Sequence, residues 1–110
     1  MAYDEDLADR IRVAIGDHRG VSEQRMFGGL AFLVNGNMAV AASGQGGLLL
    51  RVDPDETDVL VAEDGADRFE MRGRAMNGWL HIEPSAAESD EQLSRWVDLG
   101  VTYARSLPAK

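Results

Sequence analysis

The chain has 110 residues, enough for one domain, and no cysteine, which excludes a disulfide framework, a zinc ribbon and a cysteine nucleophile. Its formal charge of −8 counts against unaided nucleic-acid binding, because affinity for a phosphate backbone comes from Lys and Arg displacing counterions. An apolar content of 45% is ordinary for a globular protein, and no segment approaches the roughly 20 apolar residues of a membrane span.

The opening MAYDEDLADR is acidic and lacks the apolar run of a secretory signal, so a cytoplasmic protein is expected. From Tyr3 to about His18 the pattern is helical. Leu7, Ile11, Ala14 and Ile15 recur at three- and four-residue steps, and Asp4-Glu5-Asp6 suits the positive end of the helix dipole. Gly20 marks a stop. Val21 to Phe27 reads as a lead-in strand, weakened by Ser22-Glu23-Gln24.

Arg25 to Leu50 carries the strongest fold signal. Its apolar segments are broken by Gly28-Gly29, by Asn35-Gly36-Asn37 and by Ser43 to Gly47, residues that tolerate the positive φ of tight turns. Strands are predicted at about Leu30–Val34, Met38–Ala42 and Leu48–Val52, the first two joined by an Asn35-Gly36 hairpin. Leu48-Leu49-Leu50 is apolar on both faces. Either a partner covers the face away from the helices, or this is a central strand with one leucine partly exposed.

Asp53-Pro54-Asp55-Glu56 reads as a helix start, with Asp53 as N-cap and Pro54 at N1. The helix is expected to run to about Glu63 with Val59, Leu60 and Ala62 inward. Phe69–Arg72 and Trp79–Ile82 follow as a second strand pair, joined through an Asn77-Gly78 turn, and Pro84 ends the last strand. Ser89-Asp90-Glu91-Gln92 is a capping box. A helix from Asp90 to about Ser106 places Leu93, Trp96, Val97, Gly100, Val101 and Ala104 on one face. The order α-β-β-β-α-β-β-α, built from antiparallel hairpins, implies an α+β two-layer sandwich with a sheet of about five strands, in one domain spanning residues 1–110.

Arg25-Met26-Phe27-Gly28-Gly29, the Asn35-Gly36 hairpin, Leu50-Arg51-Val52-Asp53 entering a helix, and Met76-Asn77-Gly78-Trp79 before a strand ending at Pro84 resemble the TfoX N-terminal domain family. The resemblance runs from about Asp6 to Arg105. It implies a fold similar to the secretion-chaperone-like α+β arrangement. It also implies a competence-regulator-like role as a co-regulator working with a transcription factor, and it transfers no catalytic residue and no cofactor.

Most candidate sites have a plain structural reading. Met26, Phe27, Gly28 and Gly29 form the family motif, and they read as a corner into the sheet. They do not form a phosphate loop, which would precede a helix. Gly44 to Gly47 lacks the Lys-Ser/Thr of a nucleotide loop. His81 shares a strand face with Trp79 and Glu83, too few ligands for zinc. No serine sits in a nucleophile elbow, and the many carboxylates single out no acid/base pair.

Arg51, Arg72, Arg74 and Trp79 remain as the candidate binding surface. Sharing one face, they would make an Arg-and-aromatic patch of the kind enriched at interfaces. The other reading has the arginines paired with acidic helices and Trp79 in the core. The expectation is therefore a non-enzymatic regulatory or protein-binding module acting through protein contacts, in an arrangement that allows a homodimer, with no metal, cofactor or membrane. The alternative is a small-molecule-binding or enzymatic domain with a pocket between the sheet and the C-terminal helix.

Overall fold

The computed structural model describes residues 3–16, 18–26, 28–71 and 73–109. Phe27 and Arg72 lie outside the described residues. The elements are α1 (Glu5–Ile15), β1 (Val21–Met26), β2 (Gly29–Val34), β3 (Asn37–Ala42), β4 (Leu48–Arg51), α2 (Thr57–Leu60), β5 (Ala66–Met71), β6 (Arg74–Ile82) and α3 (Asp90–Ser106). Short 3-10 turns at Pro54–Glu56 and Pro84–Ala87 lead into α2 and towards α3.

The predicted α+β sandwich is present. Its sheet has six antiparallel strands in the order β1-β2-β3-β4-β6-β5, one more than expected. The added strand is β1, which pairs with β2 over its whole length despite its polar sequence. Tertiary pairing overrides the weak strand propensity of Ser22-Glu23-Gln24.

Local chemistry sets the ends of the elements. Asp4 caps α1 by accepting from the Asp6 and Leu7 amides at 2.9 and 3.2 Å. The Ser89–Gln92 box closes α3 in both directions, at 3.0 and 3.1 Å. Asn35 and Gly36 both have positive φ, as a two-residue hairpin turn demands. Asp53 accepts from the Asp55 amide at 2.9 Å, but the turn it starts is 3-10 and the α-helix beyond is one turn long. The expected helix to Glu63 with Val59 and Ala62 inward is thus corrected. Thr57 and Leu60 face in, and Val59 is 72% exposed.

The Asn77-Gly78 turn is also corrected. Both residues lie inside β6, whose pairing with β5 already starts at Arg74 opposite Met71. Arg68 faces Leu80 while Phe69 faces Met76, so Asn77, Gly78 and Trp79 are left over as a bulge. Gly78 has φ +85°, the left-handed conformation that serves bulges as well as turns.

α1 and α3 cover one face of the sheet. Leu7, Ile11, Trp96, Val97 and Val101 meet Phe32, Val40, Leu50, Leu80 and Ile82 in the main core. The opposite face is also closed. Ala31, Leu33, Met38, Ala41 and Leu49 are buried, with Met26, Phe69 and Trp79 packed against them. Leu49 is 2% exposed, so the double-sided apolar pattern of β4 reports a second small core within the chain. Alanines at 31 and 41 leave room for larger side chains from β1, β5 and β6 to fold over the centre.

Candidate functional site

β4 leaves the sheet at Arg51, and Val52 continues the pairing for one residue by donating its amide to the Gly78 carbonyl at 2.9 Å. The buried Thr57 hydroxyl accepts from the Gly78 amide at 2.8 Å, pinning the β6 bulge to α2. These two bonds fix Trp79 directly opposite Arg51 in the β4–β6 register.

The Arg51 guanidinium lies 5.3 Å from the Trp79 ring centroid and 5.7 Å from that of Tyr103 on α3. A planar cation between two aromatic faces is attracted by both ring quadrupoles. Arg51 and Tyr103 are both half-buried, so the cluster sits at the rim of the sheet. No described carboxylate pairs with Arg51 within ion-pair distance.

Beside Tyr103 runs an open groove of about 570 Å³, lined by Asp53, Glu56, Arg95, Asp98, Leu99 and Thr102 among others. Among the described residues its one lining cation, Arg95, is held by Glu63 in a two-point ion pair at 2.7 and 2.6 Å. The groove is therefore acidic. It lies on the outer side of α3.

Of the four predicted patch residues, the structure brings Arg51 and Trp79 together. Arg74 is exposed at the far end of β6, five residues before Trp79, on the order of 15 Å away at about 3.3 Å per strand residue. Arg72 lies outside the described residues. The residue that sequence reasoning missed is Tyr103. It flanks the buried stripe of α3, and nothing in a helical pattern signals that the end of β4 will reach it.

In the family motif, Met26 of β1 and Gly29 of β2 pair directly, and Gly28 has φ +74°. Gly29 abuts the Ala42 carbonyl, where any side chain would collide with backbone. Met26 packs on the second core. His81 serves the fold too, its Nε2 lying 2.8 Å from the Gly46 carbonyl, which ties down the β3–β4 loop. Arg68 pairs with Asp58 and also bonds Asn77 at 3.0 Å.

The architecture is that of a small antiparallel α+β domain with a single helical layer and an Arg–aromatic rim. Residues 14–104 match the model of the TfoX N-terminal domain, which covers most of the chain, and the protein belongs to that family. No curated protein and no solved structure matches it.

Proposed function

We propose that this domain is a non-enzymatic regulatory module that works in the cytoplasm through protein–protein contacts, with a transcription factor as the class of partner that the family suggests. The observation carrying this reading is the Arg51 guanidinium held between Trp79 and Tyr103 at the sheet rim. Arg, Trp and Tyr dominate binding hot spots because they combine large contact area with directed polar groups. The stack pre-orders the Arg51 side chain, so less rotamer entropy is lost when a partner carboxylate docks on its open edge.

The test uses tagged wild-type, Arg51→Ala and Arg74→Ala proteins as baits in quantitative pull-downs from the native host. The expected result is a protein retained by wild type and Arg74→Ala and depleted at least tenfold with Arg51→Ala. Identical captures by all three would overturn the reading. A second reading, a small-molecule-binding or enzymatic domain, draws on the acidic groove beside Tyr103. The space between the sheet and α3 offers it little, because Gly100 rests on Ala39 and Leu50. Saturable binding of a small cationic ligand, abolished by Asp98→Asn, would favour it instead.

A further inference from the structure

The two edges of the sheet differ. β5 meets β6 across the register shift at Arg68/Phe69, which breaks the line of the ladder at that edge. β1 meets β2 without such a shift, although its Glu23 is ion-paired to Arg12. Its six residues run in unbroken register with β2, from Val21 opposite Val34 to Met26 opposite Gly29, and Ser22 to Arg25 are all exposed.

The phase of this edge follows from the far end of the strand pair. The Asn35 amide donates to the Gly20 carbonyl at 2.9 Å in register with the ladder, so Ser22, Gln24 and Met26, at two-residue steps from Gly20, point their amides and carbonyls into β2. Val21, Glu23 and Arg25 point theirs outward. Among the described residues, nothing outside the β1–β2 ladder bonds these three backbones.

We infer that β1 is a dimerisation edge that pairs antiparallel with β1 of a second copy, placing Glu23 opposite Arg25 twice across a two-fold axis through Gln24. Outward groups must meet outward groups, so a symmetric register can be centred on any residue of the strand, and one centred on Val21 or Met26 overlaps least of it. Centring on Glu23 or Arg25 sets like charges directly opposite, which is destabilising, and centring on Ser22 sets Val21 against Glu23 with no charge pair. The register centred on Gln24 sets Glu23 on Arg25 in both directions and forms about four ladder hydrogen bonds. Glu23 is already oriented for this role, since Arg12 of α1 holds it at two points, both 2.8 Å. The interface is isologous and self-complementary, as a closed dimer requires.

β1 lies three strands from β4, about 14 Å at about 4.8 Å per strand, so both Arg51 rims stay open in the dimer. The inference stands apart from the proposed partner contact, and its test does not touch that site.

The test is light scattering with sedimentation velocity at physiological ionic strength, up to concentrations of hundreds of micromolar. Wild type is expected to dimerise. Glu23→Arg and Arg25→Glu each set like charges opposite one another and are expected to be monomeric. An equimolar mixture of the two restores opposite charges in both pairs and is expected to form a heterodimer. Arg25→Glu leaves the Arg12–Glu23 pair intact, so that arm stays readable if Glu23→Arg folds poorly. Arg25→Pro removes one outward amide without touching the β1–β2 ladder and is expected to be a folded monomer by circular dichroism. A wild-type monomer throughout the range, a dimer indifferent to both charge reversals, or variants that fail to associate on mixing would overturn the inference.

Discussion

The Thr57 hydroxyl accepts the Gly78 amide at 2.8 Å, and Thr57 is 1% exposed. This contact joins the one-turn helix α2 to the bulge of β6, and it stands immediately before Trp79 in the chain. A helix this short has little stability of its own, so its position depends on such tertiary bonds.

Thr57→Val keeps the shape and removes the acceptor. The Gly78 amide is then buried without a partner, which costs about 1–3 kcal/mol. Chemical denaturation is expected to show that loss, with Thr57→Ser much closer to wild type. Equal stability of the Val and Ser variants would mean that the hydroxyl contributes nothing.

Gly100 sets how closely α3 approaches the sheet. A Cβ there would lie 2.5 Å from the Ala39 carbonyl oxygen and 2.8 Å from Leu50 Cδ1. Alanine improves helix propensity by about 1 kcal/mol, whereas overpacking against a fixed backbone costs about 1–3 kcal/mol. The obstacle is backbone, which does not swing aside, so the clash wins. Gly100→Ala is expected to lower the melting temperature, and a rise would show that α3 can lift off freely.

Acid is expected to weaken the α1–β1 contact. The hydrogen bonds from Arg12 hold the Glu23 carboxyl below its usual value of 4.5, with partial burial opposing the shift. A depressed carboxylate contributes stability that is present above the unfolded value and lost as pH falls through the folded one. Glu23 is 38% exposed, so solvent screening keeps the effect small. Denaturation of dilute wild type and Glu23→Gln between pH 6 and pH 2 is expected to show a gap that closes as pH falls below about 4.5. A gap independent of pH would show that the carboxylate charge is not the cause.

Much of the fold is legible in the chain because it rests on local periodicity and capping. The buried stripe of α3 follows the three- and four-residue spacing of Leu93, Trp96, Val97, Gly100, Val101 and Ala104, and all six are buried. Asn35-Gly36 predicts its hairpin because few other pairs tolerate two successive positive φ values. Asn77-Gly78 carries a similar signal and ends inside a strand. A positive-φ glycine is compatible with a turn and with a bulge, and only the pairing of Phe69 with Met76 decides which forms.

The candidate site was half visible. Arg51 and Trp79 stand out by residue type, and strand order places them in one sheet. Their meeting with Tyr103 depends on where β4 stops, how tightly Gly100 seats α3, and the Asn37 side chain, which donates to the Pro108 carbonyl at 2.9 Å beyond the helix. Periodicity acts within a few residues, and so the sequence by itself determined the elements and their apolar faces. The tertiary structure alone decided that β1 becomes an edge, that the second sheet face closes on itself, and that Arg51 lies between two rings. Those outcomes depend on register and close packing between residues distant in the chain, which no local pattern encodes.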